Sequence, residues 1–191
     1  VGWDNTLVTR AEDASLEGLT ISEIARRQGK DDFDAAFDLL LANRGRVSVV
    51  YFTIGDEDIE RIMRHPAVMV GSDSSAVAAE GPLAKGKPHP RTYGTFVRVL
   101  GVYVREKGVI TLEDAVRKMT SFPAQRLGLT DRGLLRPGMK ADVVLFDPQT
   151  VGDRATYTEP MQYPSGIEHV FVNGQLTISQ GRHLGTRAGA V

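Results

Sequence analysis

The sequence predicts an α/β fold in two parts, a helix-rich α/β part up to residue 128 and a small β part from residue 129 to 191. Two apolar runs, 47–54 and 67–71, flank one amphipathic helix, the pattern of a βαβ unit with parallel strands and a right-handed crossover. Capped helical patterns stand on both sides of that unit. Beyond Leu129 the chain changes to Gly, Pro and short β-branched runs, the grammar of small antiparallel strands.

Each element has its own signal. Thr20-Ile21-Ser22-Glu23 has capping-box spacing and opens a short helix that stops near Gly29. Asp31 caps a second helix, whose Phe33, Phe37, Leu40 and Leu41 recur at helical spacing and predict the buried face, up to Gly45. The run 47–54 is nearly all apolar and β-branched, as expected of a strand buried on both faces, and a further strand is placed near Leu7-Val8. Asp56 is the expected cap of a helix to Arg64, with Ile59, Ile62 and Met63 on one stripe, and Pro66 prevents its continuation. The strand 67–71 follows, then an irregular loop over 72–93; a loop of that length inside a compact domain is usually functional. Helical pattern returns from about Gly94 to Gly108, then after the Thr111 cap with Leu112, Ala115, Val116 and Met119 inward, and once more from Ser121 to Gly128. In the second part Val143–Phe146 reads as a strand, and 167–172 and 175–178 flank Asn173-Gly174, a strong hairpin signal.

Composition narrows the function. Lys and Arg number 23 against 24 Asp and Glu, a balance that argues against an extended nucleic-acid or anionic-lipid footprint and favours a small-molecule partner. With 41% hydrophobic residues the chain has the material for a core, and without cysteine any metal ligand must be His or a carboxylate. No apolar run approaches the roughly 20 residues of a membrane span, and the start Val1-Gly2-Trp3-Asp4 has no signal-peptide pattern, so the expected location is cytoplasmic.

Among local motifs, Gly81 to Pro88 approaches a phosphate-binding loop but carries Pro88 where a magnesium-binding hydroxyl belongs, so it reads as a surface loop. The four histidines, His65, His89, His169 and His183, have none of the close spacings of compact zinc motifs. His65 reads as a helix-end residue, His169 as solvent-facing in a strand and His183 as a tail residue. His89, between two prolines in the long loop, suits either a site or a rigid turn. Asp73 follows a predicted parallel strand, where α/β folds gather catalytic groups, although alone it is better explained as a loop aspartate bonding its own backbone. Arg91 and Arg98 have the chemistry to clamp an anionic substrate, with a solvated surface role the better reading of either taken singly.

Together the segments resemble one family. IERIMRHPAVMVGSD (59–73) and KPHPRTYGTFVRVLG (87–101) are similar to the carboxyl-terminal part of the N-acyl-D-amino-acid deacylases, or D-aminoacylases, of the metal-dependent amidohydrolase superfamily. TISEIARRQGKDDFDAAFDLLL resembles the family upstream, and GLLRPGMKADVVLFDP with VFVNGQ resembles the superfamily's closing β-sandwich. The resemblance implies the carboxyl-terminal part of a (β/α)8 TIM barrel over 1–128, with active-site loop 72–93, followed by part of a small β-sandwich over 129–191. It implies one or two divalent ions, usually zinc. Asp73 matches the aspartate that contacts the metal centre and shuttles the proton, and Arg91 matches the arginine that grips the substrate α-carboxylate.

The superfamily's His-x-His and later histidine ligands have no counterpart here, and two or three strands cannot close a barrel of eight. The chain therefore reads as a carboxyl-terminal piece of a longer hydrolase. By itself it is expected to bind negligible metal, to turn over no substrate and to be open to self-association. A dihydroorotase-like cyclic amidohydrolase and a non-catalytic scaffold are the alternatives.

Overall fold

Local side-chain chemistry starts most of the helices. In the computed structural model, which describes residues 2–84 and 86–190, helix α1 (Ile21–Gln28) opens on a complete capping box. Thr20 Oγ1 accepts the Glu23 N–H at 3.2 Å, and Glu23 Oε2 accepts the Thr20 N–H at 2.7 Å. Asp31 Oδ1 accepts the Phe33 and Asp34 N–H groups and starts α2 (Asp32–Ala42). Helix α3 (Asp56–Arg64) departs from expectation: Gly55 is its cap, and the Asp56 carboxylate accepts from Lys107 Nζ at 3.1 Å instead. Helix α4 (Arg91–Arg98) continues into a π-helical stretch, Val99–Glu106. Thr111 Oγ1 caps α5 (Leu112–Met119) through the Asp114 N–H, and α6 (Ser121–Arg126) follows.

Strand β1 (Thr6–Arg10) pairs antiparallel with β2 (Ser48–Tyr51), Leu7 opposite Val50. A second sheet runs β3 (Val143–Phe146), β4 (Ile167–Val172), β5 (Gln175–Ser179) and β6 (Arg182–His183), antiparallel in that order. The β4–β5 hairpin turns at Asn173 (φ +48°) and Gly174 (φ +79°), the two positive angles that an Asn-Gly turn supplies.

The expected parallel βαβ unit is not formed. Among the described residues 67–71 makes no strand, and β2 is four residues long and pairs with β1. A parallel strand needs a paired neighbour for its ladder, and here α5 takes groups that such a ladder would use. Lys118, fully buried, donates its ammonium to the carbonyls of His65 (2.6 Å) and Val68 (3.0 Å). Arg117 bonds the Pro66 carbonyl at 3.1 Å, and the Val70 N–H reaches the Lys118 carbonyl at 3.2 Å. The run 66–70 is thus clamped onto a helix.

Two apolar clusters form the interior. Val8, Ile21, Ile24, Ala25, Ala35, Ala36 and Leu39 make the first. The expected inward stripe of α2 is reversed: Phe33, Phe37, Leu40 and Leu41 lie on the exposed side, and the small Ala35 and Ala36 with Leu39 face β1 and α1. The second cluster joins Val97, Val99, Leu100, Tyr103, Val109 and Ala115 to Val151, with Phe146 and Ile167 of the second sheet packed against it. Close approach demands Gly101 there, because a Cβ would lie 2.9 Å from the Val151 carbonyl oxygen.

Candidate functional site

Clamping of 65–70 by α5 delivers the chain to Gly71-Ser72-Asp73, where Asp73 adopts the left-handed conformation at φ +47°. That conformation is uncommon for a side chain other than glycine, and aspartate is among the residues that best tolerate it. Further on, Pro88-His89-Pro90 turns the loop into α4, which begins at Arg91, eighteen positions after Asp73. The two predicted site residues meet there: Arg91 Nη2 lies 2.8 Å from Asp73 Oδ2, with side chains 45% and 86% exposed. Ser74 Oγ to Thr92 Oγ1 at 2.8 Å ties the same two segments a second time.

His89 orders the turn. Its Nδ1 accepts the Arg91 N–H at 3.0 Å, its carbonyl accepts the Thr92 N–H at 2.9 Å, and its ring stands edge-on to Tyr157 at 5.1 Å. Burial first, and the Arg91 charge second, hold the imidazole below its usual pKa, which favours the neutral ring that can accept the Arg91 N–H.

Arg91 and His89 open onto a cleft of about 810 Å³ between β1, β2 and the end of the long loop, with Arg10, Lys87, Phe52 and Tyr157 also in its wall. Sequence reasoning missed Tyr157, which stacks edge-on to both Phe52 (4.7 Å) and His89; it lies in an irregular stretch with no periodic signal. It also missed Tyr93, whose buried hydroxyl has no partner among the described residues. Burial, then Tyr163, raises the Tyr93 pKa.

The other predicted positions do not join this site. Arg98 is engaged with Asp153 at 3.0 Å. His65 is the C-terminal cap residue of α3, as its sequence position suggests, and its Nδ1 accepts the Ala67 N–H. His169 is not simply solvent-facing, because its Nδ1 is buried without a partner among the described residues. His183 lies in β6. Of the rejected phosphate-loop segment, Lys85 is outside the described residues. Among the described residues no three His, Asp or Glu side chains converge as a metal site would require, and no helix is long and apolar enough to cross a membrane.

A family model described as the amidohydrolase family matches residues 3–178, most of the chain. The chain belongs to the amidohydrolase family. Among its relatives, this amidohydrolase chain is 47% identical over 157 residues to an N-acyl-D-glutamate deacylase of Alcaligenes xylosoxydans xylosoxydans, covering 82% of the chain and 30% of the relative. A D-aminoacylase of the same organism is 40% identical over 176 residues, 92% of the chain and 34% of the relative. The crystal structure of N-acyl-D-glutamate deacylase from Bordetella bronchiseptica, complexed with zinc and a phosphonate mimic of the tetrahedral intermediate, superposes with a TM-score of 0.78 at 41% identity, covering 94% of this chain and 36% of that one. The mixed helix and strand architecture is therefore that of the deacylases, and the chain spans about a third of the length of the relatives it matches. Similarity to dihydroorotases is partial, 31% of the chain for that of Geobacter metallireducens.

Proposed function

We propose that this amidohydrolase chain is the carboxyl-terminal part of a metal-dependent hydrolase that cleaves the amide of N-acyl-D-amino acids to a carboxylate and a free D-amino acid. On this reading residues up to 128 complete a (β/α)8 barrel and residues from 129 belong to a β-sandwich. The observation that carries the proposal is the meeting of Asp73 and Arg91 at 2.8 Å, beside a cleft of substrate size.

The chemistry needs a group that takes a proton from the attacking water and returns it to the departing amine as the C–O bond forms and the C–N bond breaks. Asp73 has that role. Arg91 holds the substrate α-carboxylate, for which the planar guanidinium fork is better suited than a lysine. An ion pair as exposed as Asp73–Arg91 contributes only about 0–1 kcal/mol, so a substrate carboxylate displaces it at little cost. The described residues do not fit a complete metal site, since Asp73 brings one carboxylate and the histidines stand apart. The remaining ligands come, on this reading, from outside these residues.

The test is the zinc-loaded protein extended upstream to the length of its relatives, assayed on N-acetyl-D-amino acids, their L enantiomers and cyclic ureides. Turnover confined to the D series is expected. Preferential ureide turnover, or no turnover of any of the three, overturns the proposal.

A further inference from the structure

Burying an ammonium is costly unless it is well partnered, and lysine is rarely found without exposure. Lys118 has none. The Asp114 carboxylate stands 3.8 Å from its Nζ, too far for a hydrogen bond, whereas the carbonyls of His65 and Val68 lie at 2.6 and 3.0 Å. The charge is directed at two neutral backbone groups of one short segment. A methionine of similar length would fill this space without the desolvation cost, so packing alone does not call for a lysine.

The segment it holds leads to Asp73. While the Lys118 side chain donates to His65 and Val68, its own carbonyl, in the last turn of α5, accepts the Val70 N–H at 3.2 Å. Arg117, the preceding residue, takes the Pro66 carbonyl at 3.1 Å. Asp73 lies three positions past Val70 and is tied on its far side to the start of α4, through Arg91 and through the Ser74–Thr92 bond. At φ +47° it is suspended between two helices, and a left-handed residue other than glycine persists only where its surroundings fix it. A substrate carboxylate that takes Arg91 removes one tie to α4, which leaves the exposed Ser74–Thr92 bond and the buried clamp on α5. We propose that Lys118 is a positioning residue for the reaction, whose buried ammonium, acting through 65–70, fixes the point from which Asp73 reaches the reacting groups. This rests on the deacylase reading above and deepens it.

The experiment is steady-state kinetics of the extended, zinc-loaded protein on an N-acetyl-D-amino acid, with kcat referred to folded protein. Lys118→Met is expected to lower kcat about 10- to 100-fold, the scale of a misplacement of about 1 Å, with KM within about twofold because Arg91 stands on α4. Thr111→Ala, which removes the cap of the same helix and leaves the clamp in place, keeps kcat. In an Asp73→Asn background Lys118→Met changes kcat by less than about twofold, because its effect passes through Asp73. A lysine that only stabilises the fold leaves the kcat of folded protein unchanged. An unchanged kcat in Lys118→Met, a comparable loss in Thr111→Ala, or an equal loss with and without Asp73 overturns the inference. Where Lys118→Met does not fold, Arg117→Gln, which frees the Pro66 carbonyl alone, takes its place with an expected loss of about threefold, and an unchanged kcat there overturns it. Failure of the deacylase reading looks different: the unaltered extended protein then turns over no N-acyl-D-amino acid. Backbone NMR relaxation of the 191-residue chain decides the inference in that case. Lys118→Met, or Arg117→Gln in its place, is expected to loosen Gly71, Ser72 and Asp73 and to leave α1 unchanged, and unaltered order at 71–73 overturns it.

Discussion

The two apolar clusters are closed in contrasting ways. The one around the π-helical stretch and α5 draws Val151, Phe146 and Ile167 from far along the chain, so helices and second sheet seal one another. The cluster of β1, α1 and α2 is sealed by local residues, small alanines among them, and leaves Phe33, Phe37 and Leu41 outside, Leu41 at 76% exposure. Residues that satisfy each other within this chain take up buried positions, whereas the α2 stripe has the apolar periodicity of a buried face but meets Trp3 edge-on only at Phe33, 5.3 Å between ring centroids, and leaves Phe37, Leu40 and Leu41 exposed. Contiguous apolar surface of this kind is typical of an interaction site.

The largest effect that separates these cases is core truncation. Ile24→Ala, at a position 1% exposed, is expected to cost about 2–5 kcal/mol in urea unfolding, whereas Leu41→Ala stays within about 0.5 kcal/mol. Comparable losses for the two would mean that the α2 stripe is covered in solution. Next comes the clamp that replaces the expected strand. Lys118→Met leaves the Val68 carbonyl without its ammonium donor and the His65 carbonyl with the Val68 N–H alone, and should cost about 1–3 kcal/mol while accelerating hydrogen exchange at the Val70 amide. An unchanged Val70 exchange rate would contradict the clamp. Thr20→Ala removes half of the capping box and should lower stability by about 1 kcal/mol, measured in the same unfolding assay.

The smallest effect concerns His89. Its folded pKa lies below the ordinary value of about 6.5, so the neutral ring contributes stability above that pH and the contribution is lost as pH falls through the folded midpoint. An NMR titration should place the midpoint below 6.5, and Arg91→Gln should raise it only part of the way, because burial is the larger cause. Complete restoration in the variant would assign the shift to charge alone.

What was legible in the sequence follows the same division. Caps are local: Thr20, Asp31, Thr111 and the Asn173-Gly174 turn act within four residues of themselves and were read correctly. The faces of α2 and the pairing of 67–71 depend on partners far along the chain, and there periodicity misled. Asp73 was singled out by its place after an expected strand, and it and Arg91 were given their roles through motif resemblance, since neither stands out by composition. Arg10 and Tyr157 were not found, and Lys87 was read only as part of a surface loop, because only the fold brings the end of β1, the loop before α4 and an irregular stretch to one cleft.

The central claim is a division of labour at one ion pair, and steady-state kinetics of the extended, zinc-loaded protein on an N-acetyl-D-amino acid test it most directly. Asp73→Asn is predicted to lower kcat by about 10²- to 10⁴-fold with KM little changed, the loss expected on removing a proton-transfer group. Arg91→Gln is predicted to act chiefly on KM, as loss of a carboxylate grip should. An Asp73→Asn enzyme that keeps kcat within about threefold of the unaltered protein would contradict the account.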